Sequence, residues 1–363
     1  MNRIAVNMED SIPLTGVDEL EKHLDDILAD LAVPPNNKLF DDVELQLTDA
    51  NIPPLIPRLL PKITEILKQY QQDPAVLCSL AIKLLSPLNF TQVLSLASEE
   101  ALIQALSSPA PSANILAVAI LEKATKSPGD TAILAALKNV ITSFLTRWLT
   151  SPQVEVGEKA SRVLGDLLDV DCDTRPPQGL AVSGVEIAVR RPPGQGFMWR
   201  RLFRDRDNYD LILSLCTSGP HQNAEDGQTS QQVTLSQGRL LRLLPRLAAL
   251  NLGEVTRTDF PELNERYGHV GGDYGLLQFA ALHMVDTSDL LMHMSLVDFF
   301  ETLLSIQRIT PFSTYKMDTL RQLYRDATES DDILRKNILS LPERTIPEEA
   351  DELRQFIHEI TKE

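Results

Sequence analysis

The chain has 363 residues, 43% of them hydrophobic and 23% charged, and a formal net charge of −17. That length exceeds what one globular core usually supports, so two domains or an elongated stack of elements is expected. No window offers about 18 uninterrupted apolar residues, which excludes a membrane-spanning helix, and the acidity disfavours a partner that is itself a polyanion, such as DNA or RNA.

Leu, Ile, Val and Ala recur at helical spacing along most of the chain. The stripes are restarted by a polar residue followed by proline at Asp73-Pro74, Ser108-Pro109, Ser127-Pro128, Ser151-Pro152 and Thr310-Pro311. A polar side chain can accept from the free N–H groups of a first turn, and proline tolerates the first helical position because it has no N–H to lose. Met1 to Asp10 has no apolar h-region, so a secretory signal is not expected and the protein reads as intracellular. Val17, Leu20, Leu24, Ile27, Leu28 and Leu31 form the stripe of a first helix over 17–33, with acids on its other face. Residues 1–50 hold twelve Asp and Glu against three Lys and Arg, a concentration of charge that a solvated face explains.

A second stripe over 52–70 is interrupted by Pro57 and Pro61. Interior proline deletes a backbone hydrogen bond, so a short helix and a fresh one from about Pro61 are predicted. Helices follow over 74–86, 90–97, 99–107, 112–125, a long 130–149 and 153–169. The stretch 170–197 changes texture, with four prolines and several glycines, and its piece Ala181 to Val189 suggests a short hairpin. Helices resume over 198–216. Thr217 to Gln231 is a polar run without periodicity and reads as a loop. The last helices are placed at 233–251, kinked at Pro245, and near 274–286, 289–306, 313–329, 331–340 and 347–362.

Comparable restarts at 73, 108 and 151 lie about 35 to 45 residues apart, the period of HEAT and armadillo arrays. The predicted fold is therefore all-α: a curved, right-handed, HEAT/armadillo-like helical-repeat solenoid. Its expected organisation is N-terminal repeats over 1–169, an irregular linker or long inter-repeat loop over 170–197, and C-terminal repeats over 198–363 containing the loop 217–231. Two irregular helical domains joined at 170–197 are the alternative.

Chemistry-bearing motifs are sparse. Cys78, Cys172 and Cys216 are odd in number, widely spaced and without a C-x-x-C pair, so free thiols are expected. The six histidines include no H-E-x-x-H. The glycines around Asp273 and Pro193-Gly194-Gln195-Gly196 lack the strand and lysine of a phosphate loop. No nucleophile elbow occurs, and no two carboxylates are placed for acid–base work. The expectation is a non-enzyme with no cofactor, no metal and no small-molecule ligand.

One passage departs from this blandness. Between 190 and 206 there are six Arg against a single Asp, interleaved with Trp199 and Phe203. Trp and Arg dominate protein interfaces, and Arg forks bind carboxylates in pairs. Trp199 and Phe203, at i and i+4, can equally be core. Trp199, Arg200, Arg204 and Arg206 are therefore candidate protein-binding residues. His293, Asp298 and Glu301 form a candidate second face.

Three blocks of the chain carry a resemblance. They are Gly194-Gln195-Gly196-Phe197-Met198-Trp199-Arg200-Arg201-Leu202-Phe203-Arg204-Asp205-Arg206-Asp207, the run Leu240 to Leu250, and the run Phe279 to Phe300. With them the sequence resembles a fungal family historically named as a DNA mismatch repair protein of the HSM type. That family is better known as a dedicated assembly chaperone of the 26S proteasome regulatory particle, related to 26S proteasome non-ATPase regulatory subunit 5. The resemblance implies a HEAT/armadillo solenoid without enzymatic activity or cofactor, located in cytoplasm and nucleus. It also implies a partner: the C-terminal domain of one AAA ATPase subunit of the proteasome base. Members help the ATPase ring form, hinder premature docking onto the core particle and leave before maturation. The chain ends at Glu363, shorter than the family leads one to expect, so reduced terminal repeats are anticipated. A generic HEAT/armadillo adaptor remains the alternative reading, and a nucleic-acid-binding repair factor fits the charge least.

Overall fold

A computed structural model describes residues 14–173, 193–218, 229–267 and 274–362. Among the described residues the regular structure is helical and no strand occurs, which establishes the all-α helical-repeat class. The suggested hairpin at 181–189 and most of the polar run 217–231 lie outside the described residues. The chain divides into two compact units, Met1–Lys123 and Ala124–Glu363.

The first unit contains α1 (Val17–Ala29), α2 (Asn37–Glu44), α3 (Ile56–Gln69), α4 (Ala75–Leu85), α5 (Phe90–Leu94), α6 (Glu99–Ser107) and α7 (Pro111–Glu122). Each pair packs on the next: α1 lies on α3, α2 on α4 and α4 on α7, while α5 and α6 also pack on α7. Leu20, Leu24 and Ile27 of α1, Leu59, Ile63 and Ile66 of α3, and Leu77, Leu80 and Leu84 of α4 are fully buried where these layers meet. No helix of this length could hide its stripe alone, so stacking supplies the core.

The acidic face of α1 is only partly solvated. Asp18, Glu21 and Asp25 fall on one side of the helix, and Arg58 and Lys62, one turn apart on α3, pair with them at 2.6 to 3.3 Å. Hydrogen bonding to Arg58, then to Lys62, holds the Glu21 carboxyl below its usual range.

The second unit contains α8 (Pro128–Ala136), α9 (Lys138–Thr150), α10 (Val154–Val170), α11 (Phe197–Phe203), α12 (Arg206–Cys216), α13 (Ser230–Leu250), α14 (Leu252–Thr256), α15 (Pro261–Arg266), α16 (Leu276–Leu282), α17 (Leu290–Ile309), α18 (Thr314–Thr328), α19 (Asp332–Ser340) and α20 (Pro347–Thr361). One run of contacts leads from α8 through α11, α14, α16 and α18 to α20. A second leads from α9 and α10 through α13 and α17 to α19. The 21-residue α13 is the centrepiece, packed against α9, α10, α12, α16 and α17.

Several boundaries depart from the sequence reading for local reasons. Ile56–Gln69 is one helix with Pro61 inside it, and its buried stripe of Leu59, Leu60, Ile63 and Ile66 runs on across the proline. The long stretch 130–149 is two helices meeting at Leu137 with a 94° bend. The stretch 198–216 likewise divides at Asp205, whose carboxylate accepts from Asp207 N and Asn208 N and starts α12. The short α2 was not anticipated, since it buries only Phe40 and Val43. Ser127 caps α8 as expected, whereas Ser108 and Ser151 each accept from the residue two positions on, and α7 and α10 begin at Pro111 and Val154, within one residue of the expected starts at 112 and 153.

The expected break at 170–197 has its described ends tied together. Fully buried Asp171, just past α10, accepts through Oδ1 from Gln195 N at 3.0 Å and through Oδ2 from Met198 N at 2.6 Å. Trp199 of α11 donates its indole N–H to the Leu168 carbonyl at 2.9 Å. Gly194 lies so close to the Asp171 backbone that a Cβ would strike it, and Gly196 sits at φ +67°.

The same device recurs. A buried side chain of one helix donates to the C-terminal carbonyls of another, groups that a helix leaves unpaired. Asn114 of α7 donates to Ala105 O, Leu106 O and Ser108 O at the end of α6. Lys316 of α18 donates to Gln307 O and Thr310 O at the end of α17, both at 3.0 Å. Gln237 of α13 reaches Cys216 O after α12 and Met284 O after α16. Replacing Asn114 with alanine orphans one such end, and urea unfolding is expected to show a loss of about 2 kcal/mol.

Candidate functional site

Asp289 starts α17 by accepting from Leu291 N and Met292 N. One turn on, His293 turns inward, 6% exposed, and its Nε2 lies 2.7 Å from Asp331 Oδ2. The other oxygen of Asp331 accepts from Leu334 N and starts α19. One carboxylate thus fixes both the histidine and the neighbouring helix.

These residues line a cleft of about 850 Å³ walled by α16 to α19. Asp326, Asp331 and Asp332 contribute carboxylates to the lining, and no Lys or Arg is among the described lining residues. Gln322 orients Asp326 with a hydrogen bond of 2.7 Å, while Asp332 is paired along its own helix with Arg335. His283 also lines the cleft, and burial pushes its pKa below the ordinary value of 6.5, which favours the neutral ring. Leu282, Val285, Leu296 and Ile333 supply the apolar part. Leu290, Leu291 and Met294 in the first turns of α17 are exposed as well. Carboxylates beside exposed aliphatic groups give the cleft an acidic, amphipathic lining. Among the described residues no three His, Cys, Asp or Glu side chains converge on a point where a metal could sit.

The other two residues of that face are placed differently. Asp298 is exposed on α17. Glu301 is held by Arg344 at 2.5 Å and keeps only 17% of its side chain accessible. The sequence brought His293 forward but not Asp326, Asp331 and Asp332. These lie 33 to 39 positions away on or beside other helices, where no local pattern links them to it.

The arginine-rich passage buries its aromatic residues and leaves Arg200, Arg204 and Arg206 exposed. Trp199 is 2% exposed and stacks on Phe203 with ring centroids 5.5 Å apart, so it is core and does not present itself to a partner. Arg204 pairs with Glu254 at 2.5 Å and Arg206 with Glu262 at 3.4 Å, each some fifty residues along the chain. Arg201 pairs with Asp205 at 2.7 Å and also donates to Ala135 O at the end of α8. Arg200 donates to Gln195 O and lies over the Phe197 ring, 4.6 Å from its centroid. The passage ties α11 and α12 to α8, α14 and α15, with Arg201, Arg204 and Arg206 paired to carboxylates while Arg200, Arg204 and Arg206 stay exposed. Arg190 and Arg191 lie outside the described residues.

The three cysteines are free thiols buried in the core. Burial pushes the Cys78 thiol up to about 11 and raises Cys216 as well, which leaves both protonated and unreactive.

Comparison with known proteins gives one result that bears on this architecture. No curated protein sequence matches the chain. Residues 21–156, which run from α1 into the first turn of α10, match the family described as DNA mismatch repair protein HSM3, N terminal domain. Over these residues the chain is similar to the N-terminal domain of the HSM3-type family.

Proposed function

We propose that this protein is a chaperone for assembly of the proteasome regulatory particle, acting by binding the C-terminal domain of one AAA ATPase subunit of the base. The match of residues 21–156 to the HSM3-type domain carries the reading. A helical-repeat fold offers extended faces and needs no reactive group. The cleft around His293, with three carboxylates and no Lys or Arg among its described lining residues, supports a basic contact on the partner. In this reading the protein works without catalysis or cofactor, in the cytoplasm and nucleus. Nucleic-acid binding is disfavoured, since Arg201, Arg204 and Arg206 are paired with carboxylates and the chain carries a net charge of −17.

The test is to mix the purified chain with isolated C-terminal domains of the six base ATPases at about 0.15 M salt and follow complex formation by gel filtration and calorimetry. One domain is expected to bind stably. Asp326→Lys, which reverses a cleft charge without touching the His293–Asp331 pair, is expected to weaken that complex about tenfold or more. Failure of all six domains to bind sinks the proposal. An unchanged affinity in Asp326→Lys moves the contact elsewhere.

A further inference from the structure

The first unit contains a cleft of opposite character, about 490 Å³ in volume. It opens between α3 and α6, with α4, α5 and α7 beneath. Gln104 of α6 reaches the Lys68 carbonyl of α3 at its edge. Its origin lies in residue size. Ala101 and Ala105 of α6 and Ala113 and Ala117 of α7 face Leu67 of α3 and Leu85 of α4. Alanine methyls are too short to close such a gap, whereas leucines at these positions would fill it.

Two further observations bear on what fits there. Lys68 is the one charged side chain among the described lining residues, and it is paired with Glu65 at 2.8 Å, so this lining is nearly neutral within a strongly acidic chain. Tyr70 also lines the cleft, and its hydroxyl oxygen is buried without a hydrogen-bond partner. Burial, with Asp73 nearby, raises the phenol above its ordinary value of 10.0, so it remains a neutral O–H donor. A buried hydroxyl left unpaired costs about 1–3 kcal/mol, and native structures seldom leave one without a taker. The volume falls in the range of roughly 300–1,000 Å³ typical of sites for small organic molecules. A carboxylate entering it would lose its hydration and find the one lining lysine, Lys68, already paired with Glu65.

We propose that the α3–α6 cleft binds an uncharged, largely apolar small molecule carrying one hydrogen-bond acceptor, such as a long-chain ketone or ester. The aliphatic part lies on the alanine-lined walls, and the acceptor takes the Tyr70 hydroxyl. This runs against the absence of a small-molecule ligand expected from sequence, because cavities left by alanines on separate helices have no sequence signature. It stands independently of the chaperone reading.

The test uses the full chain and the neutral fluorophore N-phenyl-1-naphthylamine, which brightens in apolar surroundings. Saturable binding of one molecule per chain is expected, displaced by 2-undecanone but not by undecanoate. Ala105→Phe, which fills the cleft, is expected to reduce probe affinity about tenfold or more. Ala101→Leu, a smaller intrusion, is expected to reduce it less, with helicity by circular dichroism unchanged in both. Tyr70→Phe keeps the ring and removes the donor, and is expected to weaken 2-undecanone about fivefold more than it weakens the probe. Absence of saturable binding, equal affinity in both alanine variants and the parent, or displacement by undecanoate as effective as by the ketone would each overturn the proposal.

Discussion

Replacing Arg239 with methionine is expected to cost the second unit about 3–5 kcal/mol, among the largest effects of any single substitution outside the apolar core. Arg239 stands in the middle of α13 and is 5% exposed. Its Nη1 donates to Trp148 O and Leu149 O at 2.9 and 2.8 Å, and its Nη2 to Ser151 O at 2.7 Å. These are the carbonyls that α9 leaves unpaired at its C-terminus, where the helix dipole also favours a cation. Ser236, one turn earlier, adds a bond to Leu149 O at 3.0 Å. Methionine keeps the stem's bulk but donates nothing, so several buried acceptors lose their partners together. Gly157 of α10 belongs to the same joint, because a Cβ there would run into the Arg239 guanidinium. Urea denaturation followed by circular dichroism checks the prediction. A loss under 1 kcal/mol would mean that water replaces the guanidinium and that the joint is not a keystone.

This joint also shows what the sequence could and could not disclose. Helix starts are local: a side chain accepts from N–H groups two or three residues on, as Ser127, Asp289 and Ser313 do. Helix ends here are closed from afar. Arg239 lies about ninety positions from Trp148, and nothing in the spacing joins them. The same separation hides the partners of the arginine-rich passage. Arg204 and Arg206 are exposed, and their counter-charges Glu254 and Glu262 arrive on helices some fifty residues later. Apolar periodicity placed the long helices well because burial acts on every turn. It failed where a helix buries too little to leave a stripe, as in α2, and where two short helices meet at a sharp angle without proline or glycine, as at Leu137. Of the candidate face on α17, His293 sits in the cleft and Asp298 is exposed, whereas Glu301 is held by Arg344.

Asp171→Ala is the second large effect, at about 2–4 kcal/mol, because it strips the acceptor from the buried Met198 N and the part-buried Gln195 N that join α11 to the end of α10. Asp171→Asn separates shape from charge. Burial is the largest influence on this carboxyl and raises its pKa above the ordinary value of 3.8, outweighing the backbone N–H groups that favour the anion. The folded protein therefore binds this proton more tightly than the unfolded chain does. By linkage, the favourable contribution of the protonated group is fully present below pH 3.8 and is lost as pH rises through the folded value. An asparagine has no such dependence. The stability of Asp171→Asn relative to the parent protein is therefore expected to improve as pH climbs from below 3.8 towards neutrality, a difference in which all other titrating groups cancel. Paired urea titrations of the two proteins between about pH 3.5 and 7 measure it directly. A relative stability that worsens over that range would show the opposite balance: the N–H groups gathered at the start of α11 would be holding the carboxylate in its charged form, and the joint would be an anion site rather than a buried acid.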